Sequence, residues 1–310
     1  MRVLIRELAP AKVNLFLHVG ARRDDGYHPL QSLAVFTGGE PAADVLSLAP
    51  ADTVSLSLDG PFAAGLEGES DNLVLRAARL LAARTSGVGG AAITLTKNLP
   101  VASGIGGGSS DAAAGFRGLS ALWHISLDDL TLREMAASLG SDIPACIAAI
   151  PAFMEGRGEN LTPVAAMPRL SLLLVNPGVP VPTRDVFAAL KTRRGTDMTL
   201  PQGAFRDTAD LLRFLETTGN DLEEPARAIQ PVIGQVLAAI AARPGALFTR
   251  MSGSGATCFG IFANDDCCAR AGMELRSAHS GWWKAATFVP ERGIVTEPAG
   301  QDIGPTPEGL

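Results

Sequence analysis

Between residues 12 and 19 (KVNLFLHV) the chain alternates strictly. Val13, Leu15, Leu17 and Val19 fall on one side and Lys12, Asn14, Phe16 and His18 on the other, which predicts a strand with one buried face. Residues 53–58 (TVSLSL) and 91–97 (AAITLTK) repeat that period, and 170–178, 246–250 and 284–289 read as further strands. Helical spacing predicts a capped amphipathic helix over 71–84, a helix after residue 110 through Ala112, Phe116, Leu119 and Trp123, and two helical stretches within 128–150 broken at Gly140. Further helices are expected at 183–191, about 221–242 and 266–278. Residues 156–164 (GRGENLTPV) read as a turn-rich connector, which places a domain boundary near 165: an N-terminal domain over 1–164 and a C-terminal domain over 165–296. Alternating helices and strands joined by short turns make the second half a small α+β sandwich. Residues 297–310, rich in Pro and Gly, read as a loose tail.

Between the predicted strand at 91–97 and the helix that follows lies PVASGIGGGSSDAAA (100–114), with four glycines and two serines in the seven residues 104–110. Strand, glycine loop and helix N-terminus together present unobstructed backbone N–H groups and partial positive charge, which suits a phosphate ligand. Ser109 or Ser110 is placed to cap the helix. The run is not a Walker A loop, because no lysine follows a glycine in that arrangement, and it is not a dinucleotide fingerprint, because Ser109 stands where the third glycine belongs and no acidic strand end follows. A second glycine loop, MSGSGAT (251–257), taken alone reads as a tight turn; two such loops 150 residues apart point to a cleft between domains.

The net charge of −6 and pI near 5.3 offer no basic stripe for nucleic acid, so an anionic ligand must be met by locally focused positive potential. No apolar stretch has membrane-spanning length and the N-terminus lacks a signal peptide's apolar core, so a cytoplasmic location is expected. Cys146, Cys258, Cys267 and Cys268 form no CxxC pair, and Cys146 and Cys258 sit in apolar runs as small hydrophobes. His18, His124 and His279 share no metal-ligand spacing.

An N-terminal APAKVN, the central PxxxGxGGGSSDAAA and the C-terminal MSGSGAT together resemble the GHMP kinases. Further blocks, DDGYHPL (24–30), GSDIPA (140–145), GRGENLTPV (156–164), NPGVPVPTRDVF (176–187) and GNDLE (219–223), are similar to members acting on a cytidine diphosphate-linked alcohol in non-mevalonate isoprenoid precursor biosynthesis. The resemblance runs from residue 9 to 262. It implies a two-domain α+β fold, with an N-terminal ribosomal-protein-S5-domain-2-like domain that has a left-handed crossover and a C-terminal ferredoxin-like sandwich. ATP would be the co-substrate, with Mg²⁺ expected alongside it.

The site residues that the resemblance implies are specific. Asp142 matches the catalytic aspartate that accepts the hydroxyl proton, with helix N-cap as its structural alternative; Lys12 matches the active-site lysine. Pro100, Val101, Ala102, Ser103, Gly104, Ile105, Gly106, Gly107, Gly108, Ser109 and Ser110 would hold the triphosphate, with Lys97 and Asn72 near the adenine. Asn14 would contact the acceptor. Tyr27, the only tyrosine, would stack on the acceptor's base, His28 would read its edge, Phe187 would cover its other face and Thr183 would add a polar contact. Asp111 would repel phosphate unless it faces away or a cation intervenes; Ser110 and Asp111 are candidate Mg²⁺ ligands, and the sequence identifies no others. The rivals are a GHMP kinase for mevalonate or homoserine, which needs no base-reading set, and a non-catalytic nucleotide-binding protein on the same fold.

Overall fold

The computed structural model describes residues 4–293, apart from 67, 69–70, 85–87, 200 and 202–204; the expected tail lies outside the described residues. In chain order the first half contains β1 (Ile5–Pro10), β2 (Lys12–Val19), β3 (Leu30–Phe36), β4 (Ala43–Ala51), β5 (Ser55–Asp59), α1 (Leu73–Arg84), β6 (Gly90–Thr96), α2 (Gly107–Leu122), α3 (Asp129–Leu139), α4 (Ile143–Ala148), β7 (Ala152–Gly156) and β8 (Asn160–Pro163). The second half contains β9 (Leu170–Asn176), α5 (Thr183–Ala188), α6 (Thr208–Glu216), α7 (Glu223–Ile229), α8 (Val232–Ala241), β10 (Ala246–Met251), β11 (Cys258–Phe262), α9 (Asp265–Ala278) and β12 (Trp283–Val289).

These strands make three four-stranded sheets, ordered β1-β4-β6-β5, β2-β3-β7-β8 and β10-β11-β9-β12. The third order is that of an antiparallel ferredoxin-like βαββαβ sandwich. The first sheet packs its apolar face, with Leu46, Leu48, Ile93 and Leu95, against Val74 and Leu81 of α1 and Phe116 and Leu119 of α2. The second sheet shares a core with the third, through Val13, Leu15, Phe16 and Val35 on one side and Leu172, Leu174, Phe259 and Ile261 on the other. Residue 165 falls between β8 and β9, and we propose it as the boundary of two units that a common core joins.

Several expectations change. β2 has no exposed face: all eight of its residues are buried. A register shift between Asn14 and Phe16 turns Phe16 into the core beside Val13 and Leu15, so strict alternation does not survive the bulge. The connector at 156–164 is the turn and the second strand of the β7–β8 hairpin. The single helix expected at 221–242 is two, α7 and α8, broken at Gln230–Pro231, where proline disfavours helical geometry for the residue before it. Ser109 and Ser110 do not cap α2. Gly106, in a left-handed conformation (φ 65°), precedes the first helical residue, and the Ser110 hydroxyl instead donates to Pro10 O at 2.7 Å.

The bulge leaves the Leu15 carbonyl facing the second half, where Arg250 meets it. Arg250 Nη1 donates to Leu15 O (2.8 Å) and Thr218 Oγ1 (2.9 Å), and Nη2 donates to Leu215 O and Thr218 O (3.0 Å each). Burial lowers the guanidinium pKa to about 10, still well above neutrality, so the cation persists among carbonyl dipoles. Arg250→Ala removes all four bonds and leaves the Leu15 and Thr218 carbonyls to find new donors, while Leu215 O keeps its bonds from Thr218 N and Thr218 Oγ1. At about 1–3 kcal/mol for each unsatisfied group, the variant is expected to lose ~3 kcal/mol or more of stability, measured as a lowered midpoint in urea unfolding.

Candidate active site

The glycine loop leaves β6 at Asn98 and enters α2 at Gly107. Its start is fixed by Asp44 of β4, whose Oδ1 accepts from Asn98 N (2.6 Å) and Leu99 N (2.8 Å). Its middle is gripped by the second glycine loop: Thr257 N donates to Ser103 O (3.1 Å), and Ser252 Oγ donates to Gly104 O (3.0 Å) while accepting from Asn14 N (3.1 Å). The two backbones cross so closely that a Cβ on Gly104 would stand 2.6 Å from Ser252 O and 2.8 Å from Gly255 N, and Gly104 also holds φ +77°. MSGSGAT is thus a clasp on the first loop rather than a free turn.

Lys97, just after β6, is buried with its ammonium against Asp44 Oδ2 and 2.7 Å from the Oδ2 of Asp111, which lies past the first turn of α2 rather than within it. The cation that meets Asp111 is therefore this lysine. One ammonium serves two buried carboxylates, and burial, the largest influence, pushes the Asp111 pKa up to about 8. Asp111 Oδ1 is buried without a hydrogen-bond partner. Neither candidate Mg²⁺ ligand suits the ion as the chain stands: the Ser110 hydroxyl is committed to Pro10 and Asp111 to Lys97. Among the described residues no three His, Cys, Asp or Glu side chains converge on a cation position.

Lys12 begins β2 and its amide donates to Ile105 O (2.9 Å), which ties it to the loop. Its side chain, 5% exposed as a residue, reaches Asp142 Oδ2 at 2.7 Å. Asp142 occupies the N-cap position of α4, with Pro144 in the first turn, but its side chain makes no capping bond. The carboxylate therefore faces Lys12 instead of closing the helix end.

A cavity of about 530 Å³ is lined by Lys12, Asn14, Asn72, Lys97, Asp142, Thr183, Phe187 and the loop residues 100–104 and 106–109. Ile105 and Ser110 do not line it: Ile105 is core and Ser110 is buried. Asn72 Oδ1 caps α1 by accepting from Val74 N (2.9 Å). Asn14 Nδ2 donates to Ser32 Oγ (2.7 Å), and the Thr183 hydroxyl pairs with Ser254 Oγ (2.8 Å).

A second, more open cavity of about 1160 Å³ is lined by Tyr27, His28 and Phe187, among others, and meets the first at Leu30, Arg157 and Phe187. His28 and Phe187 stack with centroids 5.6 Å apart, while Tyr27, 56% exposed, lies under the Arg157 guanidinium at 3.9 Å. His18 is structural. It is buried and accepts from Gly219 N, and burial lowers its pKa. His279 stacks on Trp282. Burial raises the thiol pKa values of Cys146, to about 12, and of Cys258.

The sequence reading missed Asp44, Ser252 and Arg157. Asp44 lies in a strand that was not predicted, and a single aspartate there carries no motif signal. Ser252 lies inside the second glycine motif, where a tight turn was the simpler reading.

Two outcomes follow from this geometry. Gly104→Ala places a methyl group against the clasp and is expected to weaken ATP binding at least tenfold, measured by titration calorimetry, with the acceptor cavity unaffected. For Asp111, the folded-state pKa lies above the ordinary carboxylate value, so between about pH 4 and 8 the folded state holds a proton that the unfolded state has released. Its contribution to stability is complete below pH 4 and lost as pH rises through 8. Unfolding midpoints from pH 5 to 9 are expected to fall with pH in the native protein, and Asp111→Asn to remove that part of the slope.

Residues 72–149 match the model of the GHMP kinases N terminal domain and residues 199–270 that of the GHMP kinases C terminal domain. The 4-diphosphocytidyl-2-C-methyl-D-erythritol kinase of Paramagnetospirillum magneticum is 50% identical over 282 residues, covering 89% of this chain and 95% of its own. That of Ruegeria pomeroyi is 50% identical over 283 residues, covering 91% and 98%. A crystal structure of 4-(cytidine 5'-diphospho)-2C-methyl-D-erythritol kinase superposes with a TM-score of 0.74 at 34% identity, over 92% of this chain and 99% of that one. Homoserine kinase from Cytophaga hutchinsonii shares the fold, with a TM-score of 0.67 at 18% identity over 94% and 95% of the two chains. A protein with this loop, this fold and these relatives belongs to the GHMP kinase family of ATP-dependent phosphotransferases.

Proposed function

We propose that this kinase moves the γ-phosphoryl group of ATP onto the 2-hydroxyl of 4-diphosphocytidyl-2-C-methyl-D-erythritol, in non-mevalonate isoprenoid precursor biosynthesis. The observation that carries the reading is the placement of the Lys12–Asp142 pair. It stands in the cavity that the glycine loop lines, and that cavity opens through Phe187 and Leu30 into the one lined by Tyr27 and His28. Phosphate donor, alcohol and aromatic base thus have adjoining places. A cytoplasmic location accords with the absence, among the described residues, of any helix long and apolar enough to cross a membrane.

The triphosphate lies along loop residues 100–109, held by backbone N–H groups and the N-terminal end of α2. Asp142 accepts the proton of the attacking hydroxyl while the new O–P bond forms and the bond to ADP breaks. Lys12 orients that carboxylate. As Asp142 gains the proton, the lysine's charge is released to the oxygens of the transferring phosphoryl. Mg²⁺ enters as the counter-ion of ATP, and no step here is assigned to it. Asn14 and the Ser32 hydroxyl that it holds face the alcohol end, and Thr183 lies on the wall leading to Phe187.

The test is ADP release with Mg-ATP and three acceptors: the cytidyl substrate, mevalonate and homoserine. Turnover is expected with the first alone. Asp142→Asn is expected to lower kcat by about 10²–10⁴ with little change in the KM for ATP, as loss of a positioned base does. Turnover with mevalonate or homoserine would overturn the acceptor assignment and leave the kinase chemistry standing. ATP binding with no turnover on any acceptor would favour a non-catalytic nucleotide-binding role.

A further inference from the structure

Arg157 sits at the tip of the β7–β8 hairpin, between two glycines with left-handed φ, Gly156 at 75° and Gly158 at 114°. The tight turn brings the hairpin against the reacting end, where a Cβ on Gly158 would stand 3.4 Å from Asp142 Oδ1. The Arg157 guanidinium points the other way. Its Nη2 donates to Asp25 Oδ2 (2.8 Å) and its plane covers Tyr27, so both partners lie in the loop that carries the aromatic end. Leu30, Arg157 and Phe187 are shared by the two cavities, and Arg157 is the one charged residue among them. On the far side, Arg22, Arg23, Arg184 and Arg193 also line the second cavity, with Glu159 its only acidic residue. In a protein with a net charge of −6, that is a local concentration of positive potential.

The proposed acceptor imposes an order: alcohol, diphosphate, ribose, cytosine. With the alcohol at Lys12 and Asp142 and the base at Tyr27, His28 and Phe187, the diphosphate must cross the junction. We propose that Arg157 is the residue that recognises the acceptor's diphosphate there, and that the surrounding arginines draw the anion in. A guanidinium presents a planar pair of N–H donors suited to two phosphate oxygens, and Asp25 and the Tyr27 ring hold it oriented before the ligand arrives. This inference rests on the acceptor assignment above.

The test measures binding of cytidine and of cytidine 5'-diphosphate by calorimetry, with the ATP site filled by a non-hydrolysable ATP analogue. In the native protein the diphosphate is expected to bind about ten- to a hundredfold more tightly than the nucleoside, the scale of charge-assisted hydrogen bonds, and the ratio to shrink as salt rises. In Arg157→Gln the ratio is expected to fall close to one while cytidine binding changes less than threefold. Arg157→Lys is expected to restore part of it. The KM for the full acceptor should rise in the glutamine variant with the KM for ATP unchanged. If Arg157 only shelves Tyr27, cytidine and its diphosphate lose affinity together, and the proposal falls. A native ratio near one, or an unchanged ratio in the variant, also overturns it. If the native protein binds neither ligand, the acceptor assignment itself fails and takes this inference with it.

Discussion

The backbone crossing at Gly104 is the constraint on which the site depends. Ser252 gives its hydroxyl hydrogen to the Gly104 carbonyl and receives the Asn14 amide, while the Lys12 amide bonds the Ile105 carbonyl. Three segments from distant parts of the chain are thereby fixed at one point: the start of β2, the phosphate loop and the turn before β11. At the crossing itself a Cβ on Gly104 would stand 2.6 Å from Ser252 O and one on Gly253 would stand 2.7 Å from Gly104 O, so both positions are held to glycine. The distance between the loop and Lys12 is consequently set by a main-chain bond, from Lys12 N to Ile105 O.

Electrostatics follow from the same arrangement. The chain is acidic overall, and two acidic side chains, Asp44 and Asp111, lie under the loop. Lys97 resolves this by pairing with Asp44 and Asp111 inside the protein, so that Asp44 can organise the loop's first amides with its other oxygen. On the proposed reading, what would face the phosphates is backbone N–H and a helix N-terminus, which carry no counter-ion and need no reorganisation when a ligand binds. The Asp142 side chain is about one-third exposed, at 36%, against 6% for that of Lys12, so the carboxylate stays open to a ligand while the lysine is anchored.

Local pattern made much of this legible. The loop, α1, α2, α9 and the strands at β2, β6, β9, β10 and β12 stand where periodicity put them, because their faces are bounded by glycine or by capping residues such as Asn72 and Asn264. What escaped reading shares one physical cause: neighbours in space that are remote in sequence. β1 and β4 pair with strands more than 30 residues away and β3 has β7 more than 100 residues away on one side, and their sequences (IRELAP, LQSLAVF, ADVLSLAPA) lack clean alternation. β2 loses its exposed face to the second half. Lys97 lines the loop's cavity with its ammonium engaged by Asp44 and Asp111; nothing in the motif names an aspartate 53 residues upstream. The resemblance supplied Lys12 and Asp142 together, but only the fold could bring their atoms to 2.7 Å.

The division between backbone and side chain explains how one fold serves different alcohols. If ATP lies along the loop as proposed, it meets a glycine loop, a clasp and a helix end, main-chain features that carry no acceptor information. The proposed acceptor side is built from side chains on other segments, the turn around Tyr27 and His28, the hairpin tip at Arg157, and α5 with Phe187 and with Thr183, which bonds Ser254 of the clasp. These residues meet one another through the Tyr27–Arg157 and His28–Phe187 contacts, not through the phosphate loop. Replacing them changes what can lie beyond Asp142 without moving Asp142, so specificity is free to vary at fixed catalytic geometry.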